Sequence, residues 1–328
     1  MKICFVDKTK SEYSFKDINS YEIRGAESIL INFSKELSKM GHEVVVFNNC
    51  KDEYISNSYT WINLNKISNY KNSFDIVISN NETSCLSNFN CKKKFVISHS
   101  IQTIEKFIRQ NQFFSYIKNK PIFLLIGKYH EKKMSKLFSI YGTRIIRYGV
   151  DEIFEKKELL TEIDNDLSYF TSRQDRNLDV LLNTWKENII SNRPASKLYI
   201  TPIKDNLESS NIYNRKMLNR SDFINEIIKS RMIIIPGHKA ELFCLSALEA
   251  SELCIPIVTM GIGSLSERVE HGVTGLISKN KSEFAKNILE IYNNDDLWSE
   301  IRSNLKNRRG QNSWNLATIN FFDTINLK

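Results

Sequence analysis

The sequence predicts an α/β protein made of two tandem domains, each built on a parallel sheet. Three observations carry that expectation. Short apolar runs alternate with helix-length segments along the whole 328 residues. Most runs are continuous, not alternating, as strands are when helices cover both faces of their sheet. The runs also fall into two series, which suits two domains of ordinary size. The expected division is 1–155, 156–310 and a C-terminal segment 311–328.

The first series comprises Ile3–Asp7, Glu43–Phe47, Phe74–Ser79, Lys94–Ser98, Ile122–Ile126 and Arg144–Tyr148. After its first run a polar loop leads to Arg24. Gly25-Ala26-Glu27 then opens a helix that ends at Gly41, with Leu30, Phe33, Leu37 and Met40 as its apolar stripe. The acidic, weakly periodic stretch around Asp151, Glu152, Glu155 and Glu158 marks the seam between domains. The second series comprises Leu167–Thr171, Lys197–Ile200, Met232–Ile235, Ile255–Thr259 and Gly275–Ile277. Beyond it, Glu283–Tyr292 and Leu297–Asn307 read as helices. Trp314, Leu316, Ile319, Phe321 and Phe322 then form an apolar terminal segment, expected to dock on a folded surface.

Composition narrows the class. With 41% hydrophobic and 26% charged residues the chain is neither disordered nor fibrous. No apolar run approaches the roughly 18 residues that span a bilayer. The opening Met1–Val6 reads as a strand, not a signal peptide, so a cytoplasmic protein is expected. The six cysteines make no C-x-x-C pair, and their spacing fits neither a zinc site nor a disulfide framework.

A net charge of +8 favours anionic partners. It is dispersed, and no nucleic-acid-binding module is present, which argues against nucleic acid. The basic clusters are Lys92-Lys93-Lys94, Lys128 to Lys136, and Arg308-Arg309. The stretch Lys106–Lys120 adds Phe107, Phe113, Phe114, Tyr116 and Ile117. It suits either peripheral contact with the inner face of a membrane or an ordinary solvated helix face.

The segment after Met232–Ile235 is the most informative. In Glu241-Leu242-Phe243-Cys244-Leu245-Ser246-Ala247-Leu248-Glu249 two glutamates stand eight residues apart, near and inside the start of a helix. Read as helical throughout, that spacing is a rise of about 12 Å with both side chains on one side. Such a pair could hold two sets of vicinal hydroxyls, with N–H groups between them for a phosphate. The spacing alone equally fits one solvent-facing glutamate and one cap. The first strand–helix unit lacks the GxGxxG fingerprint, which disfavours a nicotinamide-dependent dehydrogenase.

Glu241 to Ile277 (ELFCLSALEA, then IPIVTMGIGSLSERV, then HGVTGLI) resembles the C-terminal signature of family-4 retaining glycosyltransferases. Further pieces agree. Arg24-Gly25-Ala26-Glu27 with Gly41-His42-Glu43-Val44 resembles the family's Gly-Gly-Ala-Glu helix followed by G-H-E-V. Arg147 to Asp151 with Phe154 resembles its interdomain element, and Phe170 to Arg173 with Arg176 to Asp179 its phosphate motif. The resemblance implies the GT-B architecture, two facing Rossmann-like domains, with the C-terminal helical segment crossing back to the first. The N-terminal domain would then bind the acceptor and the C-terminal domain the nucleotide sugar.

It also implies roles. Arg173 and Arg176 would neutralise the departing diphosphate. Glu249 would hold the ribose hydroxyls. Glu241 and the backbone around Phe243, Cys244 and Leu245 would hold the transferred sugar. Gly25 would lie near phosphate and acceptor, and His99 near the sugar. No cofactor or metal is implied, the donor being a nucleoside-diphosphate sugar and the acceptor a glycan or lipid-linked molecule of cell-surface polysaccharide or glycoconjugate synthesis. Departures from the pattern are Arg176 for a lysine, Cys244 for a glycine and Arg24 for the first of two glycines. Base recognition is expected near Thr201-Pro202-Ile203, and acceptor choice from the stretches 8–23 and 50–73. The competing readings are another sugar-nucleotide enzyme of this architecture, such as an epimerase, or a non-enzymatic basic nucleic-acid-binding or scaffold protein.

Overall fold

The computed structural model describes residues 1–20, 23–70, 73–204 and 207–326. Parts of the two stretches expected to select the acceptor, residues 21, 22, 71 and 72, lie outside the described residues. So do 205, 206, 327 and 328. The chain divides into two compact units, Met1–Gly149 with Trp314–Lys328, and Val150–Ser313.

In the first unit eight strands form one sheet: β1 (Lys2–Val6), β2 (Glu43–Asn48), β3 (Tyr54–Ile55), β4 (Tyr59–Asn63), β5 (Phe74–Asn80), β6 (Cys91–Ile97), β7 (Ile122–Leu125) and β8 (Thr143–Ile145). Their order is β3-β4-β2-β1-β5-β6-β7-β8, and only the β3–β4 pair is antiparallel. In the central strand Cys4 stands opposite both Val45 and Val77. The chain order reverses direction around β1. Its C-terminal end is therefore a switch point, where sheets of this kind bind ligands.

The helix Gly25–Lys39 follows β1 and buries ten of its fifteen residues, which is more than one face. The terminal helix Trp314–Asn326 is the reason. Phe33 stacks on Phe321 with centroids 4.4 Å apart and meets Trp314 edge-on at 5.2 Å. The apolar terminal segment thus docks on the first unit. Its last carbonyls are held by cations from the sheet. Lys93 Nζ donates to the Ile325 and Asn326 carbonyls at 3.2 Å, and Arg144 donates to that of Thr324 at 2.5 Å. This is the placement a helix C-terminus favours.

The second unit repeats the plan with β9 (Asp164–Tyr169), β10 (Lys197–Ile200), β11 (Ile212–Asn214), β12 (Ser230–Ile234), β13 (Ile257–Thr259) and β14 (Gly275–Ile277). All pairs are parallel, in the order β11-β10-β9-β12-β13-β14. Leu198, Ile200, Met232 and Ile234 pack against Leu181, Trp185, Phe284 and Ile288 in its core. At the N-terminal end of β12 the buried Arg231 bonds the Ile291 carbonyl, Asn165 and Asp295, and lies 4.6 Å from the Trp298 ring.

Three strands were not anticipated: β3, β4 and β11. β3 and β11 have two and three residues, and β4 lies within an Asn/Ser-rich stretch where its alternation is masked. The run Ile255–Thr259 becomes strand only at Ile257, because Pro256 has no N–H to give the ladder.

Candidate functional site

In the second unit the C-terminal ends of β9, β12 and β13 carry three loops, 170–177, 235–244 and 260–267. Glycines let the last two interlock. Gly237 bridges Ile262 with a φ of +92°, and a side chain there would meet the Ile262 carbonyl at 2.6 Å. Gly263 has a φ of +76°, and a side chain would run into the His238 and Glu241 carbonyls. Ser264 N–H closes the contact by donating to the Glu241 carbonyl at 2.9 Å. A bulkier residue at either glycine would push apart the loops that fix Glu241.

Glu241 lies 65 residues from Arg176 in sequence, and the fold brings them together. Arg176 Nε donates to Glu241 Oε2 at 3.2 Å, and Cys244 N–H donates to Glu241 Oε1 at 3.1 Å. Both side chains are mostly buried. The loop that carries Arg176 is tied to the loop after β12, since Asn177 Nδ2 donates to the Gly237 carbonyl at 2.6 Å. Arg173 is exposed on the same loop and pairs with Asp175, which also accepts from Arg176.

The helix that follows begins only at Leu245, with Cys244 as its N-cap. Glu241 is therefore in the preceding turn, and the expectation that eight helical residues separate the two glutamates is corrected. The four residues before the helix fold back so that Glu241 faces the Cys244 N–H. Cys244 has a left-handed backbone (φ +60°, ψ +75°), the conformation that a glycine adopts without strain. Burial pushes its thiol well above the ordinary range, with Glu241 adding to the shift. Phe243 is held from both sides of its backbone and ring: Arg268 Nε donates to its carbonyl at 3.0 Å, and the guanidinium lies 4.0 Å from the ring centroid. Leu245 starts the helix, where the first N–H groups have no intrahelical acceptor. Glu249 is partly buried one turn further on. Burial raises its carboxyl, and Arg220 opposes the shift.

In the first unit His99 follows β6 and is the centre of a hydrogen-bonded chain. Its Nε2 lies 2.5 Å from Asn80 Oδ1 and its Nδ1 3.1 Å from the Tyr148 hydroxyl. Asn80 Nδ2 donates to Asp7 Oδ2 at 3.2 Å, and Tyr13 donates to the same oxygen at 2.5 Å. A carboxylate only accepts, so Asn80 turns its NH₂ to Asp7 and its oxygen to His99. His99 Nε2 must then carry the proton, and Nδ1 accepts from Tyr148. Both ring nitrogens are engaged. Burial, with His130 nearby, lowers the imidazole to about 3, so the ring is neutral. Gly25 is the first residue of its helix, and the N-cap Arg24 makes no side-chain cap.

Other anticipated features have structural work. Of the basic clusters, Lys93 caps the terminal helix, Lys94 bonds Leu86 and Asn119, Arg308 pairs with Glu270, and Arg309 binds the Phe154 and Lys157 carbonyls. In the Thr201-Pro202-Ile203 loop both Ile203 backbone groups are bonded to the Asn214 amide. Asp175, Asn177, Arg268, Asp7 and Asn80 were missed. Asp175 stands between two arginines, and Asn177 and Arg268 lie inside the quoted motifs, whereas Asp7 and Asn80 carry no sequence signal. Among the described residues no three His, Cys, Asp or Glu side chains form a group able to hold a metal ion. Among them, too, no helix is long and apolar enough to cross a membrane.

Comparison with known proteins gives the context. Residues 206–309 match the family described as glycosyl transferases group 1. No curated relative matches the chain. Among solved structures, sucrose-phosphate synthase from Thermosynechococcus elongatus superposes with a TM-score of 0.71 at 12% identity, over 98% of this chain and 97% of that one. Anabaena HepE, solved in complex with UDP-glucose, gives 0.71 at 16% identity over 99% of both chains. WaaG, a glycosyltransferase involved in lipopolysaccharide biosynthesis, gives 0.66 at 10% over 99% of this chain and 100% of that one. Two parallel-sheet units of this topology, similar over nearly their whole length to these enzymes, have the GT-B fold, and residues 206–309 of the second unit match the glycosyl transferases group 1 family.

Proposed function

We propose that this protein is a retaining glycosyltransferase of family 4 that moves a sugar from a nucleoside-diphosphate sugar to a glycan or lipid-linked acceptor in cell-surface polysaccharide or glycoconjugate synthesis. The observation that carries the reading is the meeting of Arg176 and Glu241 on interlocked loops at the C-terminal ends of parallel strands. Glu241 and Glu249 both fall within the family match. HepE, solved with UDP-glucose, makes a UDP-sugar the first donor to test.

In this mechanism Glu249 accepts hydrogen bonds from the ribose hydroxyls, and Glu241 with the backbone at Phe243, Cys244 and Leu245 orients the sugar. Arg173 and Arg176 stabilise charge as the diphosphate leaves, without a metal, which is where preorganised cations act most strongly. The leaving phosphate takes the proton of the acceptor hydroxyl as the new glycosidic bond forms on the same face. No protein base is then required, in keeping with a neutral His99 whose two nitrogens are occupied. In this reading His99 lies near the transferred sugar and Gly25 near the phosphate and the acceptor.

Calorimetric titration of UDP, GDP, ADP and CDP tests the donor site. One of them should bind saturably. Glu249→Ala should weaken that binding about tenfold or more, as loss of charge-assisted hydrogen bonds does. Arg173→Ala should lower kcat more than binding, by about a hundredfold. Unchanged values in both variants would refute the assignment.

A membrane-borne acceptor fits the outer surface of the first unit. Phe114 is 85% exposed and Ile108 61%, on short helices that also carry Arg109 and Lys118. Co-sedimentation with vesicles containing anionic lipid should be lost in the double variant Ile108→Ser/Phe114→Ser. No sedimentation of the unaltered protein would remove the membrane from this reading.

A further inference from the structure

We infer that Asp175 is an internal anion that occupies the two-arginine site of the ligand-free protein and must be displaced by the phosphate charge of the donor. The inference rests on the reading of Arg173 and Arg176 as diphosphate ligands. A single carboxylate spans both guanidinium groups. Arg173 Nε donates to Asp175 Oδ1 at 3.0 Å, Arg173 Nη2 to Oδ2 at 2.8 Å, and Arg176 Nη1 to Oδ2 at 2.8 Å. That is the forked arrangement by which arginine holds a phosphate.

Charge makes the arrangement consequential. Arg173 and Arg176 face Asp175 and Glu241, so the four side chains sum to zero. A neutral cluster draws an anion weakly until one carboxylate withdraws. Glu241 cannot easily withdraw, because it is 20% exposed and bonded to the Cys244 N–H. Asp175 can, because it is 53% exposed and its partner Arg173 is 74% exposed. Exposed pairs of this kind hold together with little free energy. Arg176, 13% exposed, keeps its bond to Glu241 and stays in place. The incoming phosphate therefore exchanges one anion for another on preset guanidinium groups. The neutral cluster also disfavours weaker anions such as orthophosphate.

The test is calorimetric titration of inorganic pyrophosphate, orthophosphate and the four nucleoside diphosphates into the full-length protein, Asp175→Asn, Asp175→Ala and Glu187→Gln, at low and moderate salt. Glu187 is an exposed carboxylate further along the following helical stretch and controls for net charge alone. Both Asp175 variants should bind pyrophosphate about tenfold more tightly than the unaltered protein, with a steeper salt dependence, and Glu187→Gln should not. Equal or weaker pyrophosphate binding in both Asp175 variants would overturn the inference and leave Asp175 as a support that positions the arginines. A nucleoside diphosphate that binds the unaltered protein and both variants alike would also overturn it while sparing the donor reading. Tighter pyrophosphate binding in the variants, with no nucleoside diphosphate exceeding pyrophosphate, would support the internal anion and remove the nucleotide.

Discussion

At the scale of single residues, His99 is governed by its neighbours more than by its own chemistry. The chain from Tyr13 through Asp7 and Asn80 fixes its tautomer, and burial keeps it uncharged. In the unfolded chain the imidazole titrates near 6.5, and in the folded protein near 3. The unfolded state therefore binds more protons across that interval. His99 should favour folding fully above about pH 6.5 and lose that contribution as pH falls toward 3. Urea unfolding from pH 7 to 4 should show stability falling with acid, and His99→Gln should reduce the slope. His130, lowered to about 4 by burial, and His42, also lowered by burial, contribute to the part that remains. Nothing in Ser98-His99-Ser100 announces this network. The partners come from β1, β5 and Tyr148, and a sequence does not state which strand ends converge.

At the scale of elements, the interlocked loops after β12 and β13 decide whether the glutamate–arginine pair exists. Their sequence was legible as a signature, yet its mechanical role was not. Gly263 matters because two carbonyls of the other loop stand where a side chain would go. Gly263→Ala should destabilise the second unit by about 3 kcal/mol, combining left-handed strain with overpacking. It should also abolish nucleotide binding at temperatures where the unit is still folded. Thermal unfolding by circular dichroism, paired with the diphosphate titration, separates the two effects. Gly272, with a similar positive φ of +78°, meets nothing within 4 Å, so Gly272→Ala should cost only about 1 kcal/mol and leave binding intact. Equal costs at the two positions would refute the argument from packing.

At the scale of the whole molecule, the chain finishes its first unit only with its last residues. Trp314, Phe321 and Ile325 are buried, and Phe33 packs between Phe321 and Trp314. Burying three such side chains contributes roughly 5–8 kcal/mol, comparable to the stability of a whole domain. A chain ending at Ser313 should therefore lose the first unit's calorimetric transition or shift it far down in temperature, while the second unit's transition persists. Persistence of both transitions would show that the terminal helix is dispensable. Some of the positive charge serves structure, with Lys93 and Arg144 on the terminal helix and Arg308 and Arg309 in the second unit.

The sequence by itself determined the two-unit α/β plan, because strands buried on both faces must be continuous apolar runs and parallel crossovers must be helix-length. Its glutamate spacing and Gly-rich turn are local patterns, legible as a family signature before the fold is known. It left β3 and β11 unread, because edge strands of two and three residues bury too little to impose a pattern, and β4 because it lies within an Asn/Ser-rich stretch. Only the tertiary structure decided that Glu241 precedes its helix and meets Arg176, that Asp175 bridges two arginines, and which side chains of the first unit the terminal helix packs on. Each of these depends on which loops the sheets bring side by side, and that proximity is set by packing over distances that no local spacing encodes.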